Sequence, residues 1–245
     1  MKRKKFDKKD AIYLSIIAFL LIESLVVGLA LGGVFEKEPG PNFFQEYYED
    51  KCYAFGLQNY NLSKGQIIFV GDSITDLYPL DDYYGDLPLA TYNRGIGGDT
   101  TQGVLDRLQV SIFDLKPTKV VLMIGTNDVD GGKSKEYILD NYKKIIEEII
   151  KELPEVELYC VSIIPQNEVL ESYSTLDTKA NNVKIQEINA QIKVLAEERG
   201  AVYVDLYPHL LGAEGNLDKS YSDDGLHLNA GGFVVWTNLL KPYLV

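Results

Sequence analysis

The sequence predicts an α/β fold: a three-layer α/β/α sandwich on a five-stranded parallel sheet, preceded by one N-terminal transmembrane helix. Five short apolar, largely β-branched or aromatic runs alternate with longer segments of helical periodicity, which is the pattern of strands joined by crossover helices. The chain of 245 residues, 46% hydrophobic and 24% charged, is long enough for one such domain plus a short appendage. A long apolar run near the N-terminus supplies the transmembrane prediction.

The N-terminal segment has the composition of a membrane anchor. Residues 1–10 carry six lysines and arginines, and residues 11–35 are apolar apart from Glu23 among charged residues. As a helix this run would span about 37 Å, enough for a hydrocarbon core of about 30 Å. We expect residues 1–10 to stay in the cytoplasm and the following domain to lie outside a cell membrane that the chain crosses once. The alternative is a cleaved signal peptide and a secreted protein, because small residues occur near the end of the run.

The net charge and the two cysteines limit which partners and metal sites the sequence predicts. Without residues 1–34 the chain keeps 18 lysines and arginines against 33 acidic residues, a net charge of −15. We therefore expect no nucleic-acid partner. Cys52 and Cys160 would lie in an oxidising compartment and could pair, and their spacing does not predict a metal site.

The elements follow in a regular order. Residues 36–60 are predicted to be a short linker and an N-terminal helix from 43, and residues 61–245 form the main domain. The acidic stretch 77–88 is predicted to be a solvated loop, and the polar stretch 166–177 a loop at the edge of the sheet that carries the site. The predicted strands are 66–70, 89–93, 119–124, 156–164 and 201–205, and the predicted helices that follow are 99–115, 134–153, 178–199 and 230–240.

The first strand runs into Gly71, Asp72 and Ser73. Gly71 can adopt backbone angles closed to other residues, so the chain can leave the sheet sharply and present the Ser73 hydroxyl at the carboxyl edge. Asp72 or Ser73 capping the next helix would be the structural interpretation of the same residues.

A nucleophilic serine needs a base, and the chain has two histidines, His209 and His227. His209 follows a proline and has no adjacent acid, which favours a structural or surface residue. His227 stands three residues after Asp224, a spacing that in a turn lets the carboxylate bind one ring nitrogen while the other faces Ser73.

Two further stretches follow strands at the same edge. Gly95, Gly97 and Gly98 are spaced for close backbone approach to a substrate, with Asp99 or Thr100 capping the next helix. Asn127 follows the third strand, as Ser73 follows the first. It is a candidate side-chain donor to an oxyanion, although an ordinary turn asparagine is the alternative.

Together these stretches resemble a known family. Gly71-Asp72-Ser73, the segment 93–99, Gly125-Thr126-Asn127-Asp128 and Asp224-Gly225-Leu226-His227 are similar to the four sequence blocks of the SGNH (GDSL-type) hydrolases, in the family's order. Within the family the chain resembles bacterial GDSL-type lipase/acylhydrolase and platelet-activating-factor acetylhydrolase-like proteins.

The resemblance implies a flavodoxin-like strand order of 2-1-3-4-5 and a serine esterase that needs no metal or organic cofactor. It implies Ser73, Asp224 and His227 as catalytic residues, with Asp224 preferred to Asp223. It also implies an oxyanion hole formed by the N–H groups of Ser73 and Gly98 and the side chain of Asn127.

The substrate is expected to be a small-molecule, glycan or lipid ester. The alternatives are an extracytoplasmic carbohydrate O-deacetylase or O-acyltransferase acting on cell-envelope glycans, and a non-catalytic binding module that keeps the fold.

Overall fold

The computed structural model describes residues 43–167 and 177–245, and their centre is a parallel sheet with helices on both faces. The strand order is β2-β1-β3-β4-β5, and every paired strand is parallel to its neighbour. This confirms the predicted five-stranded parallel sheet with helices on both faces and the predicted strand order. The strands are β1 Ile67–Gly71, β2 Thr91–Gly95, β3 Lys119–Met123, β4 Glu157–Val161 and β5 Val202–Val204.

The central strands end level with one another. Gly71, the last residue of β1, is paired with Gly95 of β2 on one side and with Met123 of β3 on the other. The chain therefore leaves all three strands at the same edge. β2 is added on one side of β1 and β3 on the other, so this edge contains the switch point where parallel sheets bind ligands.

The helices confirm most of the predicted segments. The predicted helices 43–60, 134–153 and 178–199 are found within two residues of their expected ends. The helices are α1 Phe43–Asn59, α2 Ser73–Asp76, α3 Leu80–Tyr84, α4 Thr101–Asp106, α5 Leu108–Ser111, α6 Thr126–Asp130, α7 Lys135–Glu152, α8 Thr178–Glu197 and α9 Ala230–Leu244. Short 3₁₀ helices occur at Phe113–Leu115 and Tyr207–Leu210.

Alternation along the strands produces a hydrophobic core on each face of the sheet. Ile68 and Val70 of β1 pack in one core with residues of α7 and α8, while Ile67 and Phe69 pack in the other with Trp236 of α9. Because both faces are covered, β1 is buried along its whole length.

The single helix predicted from 99 to 115 is wrong. The segment is broken into α4, α5 and a 3₁₀ turn. Arg107 stands between α4 and α5 with φ −113° and ψ 11°, outside the helical region. Its side chain is buried and donates to Asp99 Oδ2 and to the carbonyl oxygen of Gly71.

Two other stretches also differ from the prediction. The segment 77–88 is not a plain loop, because it contains α3 and buries Leu80 and Tyr84, although the acidic side chains of Asp81 and Asp82 are exposed as expected. The last helix continues to Leu244, which is buried beside the sheet.

Cys52 and Cys160 are both free, so the pairing considered from the sequence does not occur in this structure.

The predicted basic segment 1–10, the anchor or signal segment 11–35 and the linker 36–42 lie outside the described residues. Within 43–167 and 177–245, no helix has the length and apolar character needed to cross a membrane.

Candidate active site

Ser73 is placed by the end of β1 and the start of α2. Asp72 is the N-cap of α2, and its Oδ1 accepts a hydrogen bond of 3.0 Å from the backbone N–H of Ile74. Ser73 is the first residue of the helix, where backbone N–H groups have no acceptor within the helix. Asp72 therefore caps the helix, while the partly exposed Ser73 stands at the edge of the sheet.

Gly71 is required for space, not for an unusual backbone angle. Its φ is not among the positive values found at other glycines. A Cβ at this position would lie 2.2 Å from Thr75 Oγ1 and 2.3 Å from the carbonyl oxygen of Met123. The expectation of special backbone angles is wrong, and the close packing of α2 on the strand end explains the glycine instead.

Asn93 fixes the other end of α2. Its Nδ2 donates to the carbonyl oxygens of Thr75 (2.6 Å) and Tyr78 (3.1 Å), and its Oδ1 accepts from the N–H of Gly95 (2.8 Å). One side chain from β2 thus satisfies the carboxyl end of the helix that begins with Ser73.

His227 meets Ser73 across 154 residues of chain. The distance between His227 Nε2 and Ser73 Oγ is 2.9 Å, and that between His227 Nδ1 and Asp224 Oδ2 is 2.6 Å. Asp223 does not share this position, because its carboxylate accepts from Asn229 Nδ2 at 3.3 Å. The structure therefore brings together Ser73, His227 and Asp224, the three residues singled out from the sequence.

The environment of Asp224 sets the tautomer of the histidine. Partial burial acts to raise the pKa of Asp224, but hydrogen bonds from the His227 ring and from the N–H groups of His227 and Leu226 outweigh it and lower the pKa. An ionised carboxylate only accepts hydrogen bonds, so Nδ1 carries the proton and donates it. Nε2 is then the acceptor for the Ser73 hydroxyl.

The turn that carries His227 contacts another segment of the same chain, at Asn167. Gly225 has φ +81°, and its carbonyl oxygen accepts a 2.8 Å hydrogen bond from the N–H of Asn167. A Cβ on Gly225 would lie 2.1 Å from the carbonyl oxygen of Asn167. The histidine turn therefore requires glycine here for both its angle and its space.

Gly98 lies in a tight turn after β2. The N–H of Asp99 donates to the carbonyl oxygen of Ile96 at 3.1 Å, and Gly98 has φ +78° while Gly97 does not have a positive φ. This is the geometry of a type II turn with glycine at its third position. Of the two expected capping residues, Thr100 is the N-cap of α4, and its side chain accepts a hydrogen bond from the N–H of Gly103.

Asn127 lies beside this turn. Its Nδ2 donates to the carbonyl oxygen of Asp99 at 2.8 Å, which uses one of the two hydrogens on that nitrogen. Asp128 joins α6 to α4, because its carboxylate accepts from the N–H and the hydroxyl of Thr101, both at 2.8 Å. The candidate donors Gly98 and Asn127 are therefore neighbours at the edge that carries Ser73.

A buried ion pair beneath the site was not anticipated from the sequence. Arg107 and Asp99 have side chains 1% and 2% exposed, and Arg107 Nη2 lies 2.8 Å from Asp99 Oδ2. Arg107 also donates to the carbonyl oxygens of Gly71 (3.0 Å) and Arg94 (2.8 Å), the strand ends that lead to Ser73 and Gly98. The one sequence feature that points to a buried Arg107 is its position between Val104 and Leu108, two apolar residues that are both buried.

Asp72 is a buried acid next to Ser73, and its pKa is raised. Its residue is 1% exposed, and its Oδ2 is buried without a hydrogen-bond partner among the described residues. Burial first, and the nearby carboxylates of Asp99, Asp128 and Asp130 in addition, raise its pKa to about 7 even though the bond from Ile74 opposes the shift.

Other predicted residues lie elsewhere or outside the described ranges. His209 is exposed on the 3₁₀ helix Tyr207–Leu210, in agreement with a surface role. Of the predicted pocket loop 166–177, residues 168–176 lie outside the part of the chain that the structure describes.

Comparison with known proteins finds relatives of similar sequence and fold. The curated relatives include the alpha1 subunit of platelet-activating factor acetylhydrolase IB from Pongo abelii, 27% identical over 184 residues, which cover 74% of this chain and 75% of the relative. A solved structure from Streptococcus pneumoniae, described as a candidate platelet activating factor, is 32% identical with a TM-score of 0.77 and covers 83% of this chain and 95% of its own. A variant of an acetyl xylan esterase from Geobacillus stearothermophilus is 22% identical with a TM-score of 0.57, covering 74% and 95%, and shows the shared fold.

The family model matches more than half of the chain. Residues 69–234 match the model of the GDSL-like Lipase/Acylhydrolase family, a range that contains Ser73, Gly98, Asn127, Asp224 and His227. Members of this family act on esters. The chain therefore belongs to the GDSL-like lipase/acylhydrolase family.

Proposed function

We propose that the protein hydrolyses carboxylic esters through an acyl-enzyme on Ser73. The observation that supports this most strongly is the continuous hydrogen-bonded chain from Ser73 through His227 to Asp224, with distances of 2.9 Å and 2.6 Å. A serine hydroxyl is a weak nucleophile by itself, and an adjacent base oriented by a carboxylate is the arrangement that activates it.

The proposed reaction has two halves, the acylation of Ser73 and the hydrolysis of the acyl-enzyme. Ser73 Oγ attacks the ester carbonyl carbon while His227 Nε2 takes its proton, and the tetrahedral intermediate then expels the alcohol, which takes that proton from His227. A water molecule next gives a proton to His227 and attacks the acyl-enzyme, and the acid leaves as Ser73 recovers its proton. Asp224 holds the ring and stabilises its charged form in both halves.

The oxyanion is proposed to be bound by the N–H groups of Ser73 and Gly98 and by the side chain of Asn127. The support is their position: Ser73 N–H is in the first turn of α2, Gly98 is in the type II turn, and Asn127 is bonded to the same turn. Loss of one such donor typically lowers the rate by roughly 10² to 10³.

A short acyl group, acetyl in particular, is the substrate class we favour. The curated relatives are named for the removal of an acetyl group from platelet-activating factor. The acetyl xylan esterase of the same fold makes carbohydrate O-deacetylation, or transfer of the acyl group to a glycan, the second candidate. Acetylated xylooligosaccharides, acetylated glycerolipids and simple acetate esters assayed side by side, with and without glycan acceptors, would distinguish these substrates and reactions.

The location of this activity remains a prediction from residues 1–35. An extracytoplasmic site on a membrane-anchored chain would give the enzyme access to envelope glycans and lipid esters. Protease accessibility of the domain in intact cells, compared with lysed cells, would decide between an outward and an inward orientation.

The direct test uses matched histidine variants. Ser73→Ala and His227→Ala proteins should fold as the wild type does and lose turnover of short-chain p-nitrophenyl esters, while His209→Ala should keep it. Full turnover in either of the first two variants would move the chemistry away from this site.

A further inference from the structure

Helix α1 lies outside the segment that matches the family, yet it contacts the turn proposed to bind the oxyanion. The family match begins at residue 69, whereas α1 is Phe43–Asn59. Three of its side chains, Phe44, Tyr47 and Lys51, reach the Gly98 turn or the helix that carries Ser73.

Asp76 is where these elements meet. It is the last residue of α2, the helix that begins with Ser73, and its side chain is 15% exposed. Its Oδ2 accepts from the Tyr47 hydroxyl at 2.7 Å and from the N–H of Gly97 at 3.1 Å, and its Oδ1 accepts from Lys51 Nζ at 2.6 Å. One carboxylate therefore joins α1, the nucleophile helix and the turn residue next to Gly98.

The hydrogen bond from Tyr47 of α1 to Asp76 is present throughout the neutral pH range. Burial first, then the hydrogen bond to Asp76 and its charge, raise the pKa of Tyr47 to about 12. The hydroxyl therefore keeps its proton and donates it across the neutral pH range. Lys51 adds a positive charge on the other oxygen of Asp76.

The orientation of the Gly98 N–H depends on the type of this turn. In a type II turn the central peptide, here the one between Gly97 and Gly98, is rotated by about 180° from its orientation in a type I turn. The two forms differ in the sign of φ at the third residue, which is positive here. If the turn flipped, the Gly98 N–H would point in the opposite direction, and the proposed oxyanion hole would lose a donor.

Phe44 packs on the same peptide. A Cβ built on Gly98 would lie 2.7 Å from Phe44 Cδ1, so the ring covers the side of Gly98 where a side chain would stand. Phe44 is itself 61% exposed and makes an edge contact with Phe43, with ring centroids 5.7 Å apart. The ring therefore covers the turn from the solvent side while Asp76 holds it from α2.

We propose that α1 is a clamp on the oxyanion turn and that Asp76 is its positioning residue, holding the Gly97–Gly98 peptide with its N–H directed to the site. This inference rests on the proposed function, because it assigns the clamp to the esterase oxyanion hole. Asp76 acts through the turn and does not contact the reacting atoms.

The test compares two tyrosines of the same helix in the full chain. Tyr47→Phe removes only the hydroxyl that donates to Asp76, and Tyr53→Phe removes a hydroxyl from an exposed residue that lines a groove with Lys64 and Asp114. On p-nitrophenyl acetate we expect Tyr47→Phe to lower kcat by a factor of about 3 and Asp76→Ala by a factor of about 10 or more, with little change in KM, because the turn contributes mainly to the transition state. Tyr53→Phe should match the wild type.

A second readout does not depend on turnover. The Gly97 N–H is bonded to Asp76, so its amide hydrogen exchange should be faster in Tyr47→Phe than in Tyr53→Phe. Unchanged kcat and unchanged exchange at Gly97 in Tyr47→Phe and Asp76→Ala would overturn the clamp even if Ser73-dependent hydrolysis is present. A wild type without Ser73-dependent hydrolysis would instead overturn the proposed function, and the exchange rates would still decide whether α1 holds the turn.

Discussion

The two sides of the candidate site are built in different ways. Ser73 stands on a buried framework in which Arg107 and Asp99, 1% and 2% exposed, are bonded to each other, and Arg107 is bonded to the strand ends. His227 and Asp224 lie in a surface turn, with side chains 23% and 35% exposed, and the Asp224 carboxylate is bonded within its own turn.

Because of this difference, we expect substitutions on the Ser73 side to act mainly on stability and those on the His227 side mainly on turnover. On the Ser73 side, a substitution removes bonds that hold strands and helices together, so it should lower the free energy of unfolding. On the His227 side, the Asp224 carboxylate is bonded within its own turn, so a substitution there should change turnover more than stability.

The largest expected effect is on the His227 side. Asp224→Asn replaces an acceptor with a group that can donate, so the histidine loses the tautomer that leaves Nε2 free to accept. We expect kcat/KM to fall by roughly 10⁴, with a change of less than about 1 kcal/mol in the free energy of unfolding measured in urea. Asp223→Asn is the matched control, because that carboxylate faces Asn229. Equal losses of activity in both variants would contradict the assignment of Asp224.

The next effect is on the Ser73 side. Arg107→Met leaves Asp99 buried without its cation and removes the hydrogen bonds from Arg107 to the carbonyl oxygens of Gly71 and Arg94. We expect the free energy of unfolding to fall by about 3 to 5 kcal/mol. Arg199→Met, which breaks an exposed pair with Glu147, should cost about 1 kcal/mol or less. Similar values for the two variants would mean that the buried pair does not hold the strand ends.

Asp72 gives the Ser73 side a dependence on pH. Because its pKa is raised to about 7 in the folded protein, the folded state keeps this proton above the pH at which the unfolded chain releases it. The contribution of Asp72 to stability is therefore present below the unfolded pKa and is lost as pH rises towards 7. Relative to Asp72→Asn, the wild type should lose on the order of 3 kcal/mol between about pH 4.5 and 7.5 in urea unfolding. A constant difference between the two proteins would show that Asp72 is ionised in the folded state.

The smallest effect returns to the His227 side. Gly225→Ala places a Cβ against the carbonyl oxygen of Asn167 and should displace the histidine turn. We expect kcat/KM to fall by about 10-fold. Gly215 has a similar φ of +79° with open space around it, so Gly215→Ala carries the backbone strain without the displacement. Equal activities of the two variants would show that the turn does not depend on this contact.

The sequence predicts more of this site than of the structure that supports it. Ser73, Asp224 and His227 could be proposed as catalytic residues because a nucleophile after a buried strand and a base near an acid are local patterns. The five strands could be predicted because each is a short apolar run. The strand order needed the family resemblance, since periodicity does not distinguish one parallel order from another.

What was missed depends on contacts between distant segments. The role of Arg107 is set by carbonyl groups at the ends of two strands, and that of Asp76 by side chains of α1. The reason for Gly71 is the closeness of Thr75 and Met123, which no local pattern reveals. Likewise, the break between α4 and α5 lies at Arg107, whose buried side chain is bonded to Asp99 and to the carbonyl oxygen of Gly71.

The activation of Ser73 by His227 is tested most directly by covalent labelling with a serine-directed fluorophosphonate, with the adduct located by mass spectrometry of the digested full chain. We expect an adduct on the peptide that contains Ser73, no adduct there in Ser73→Ala, and much slower labelling in His227→Ala than in His209→Ala. An adduct on a different residue, or equal labelling rates in the two histidine variants, would contradict the activation of Ser73 by His227.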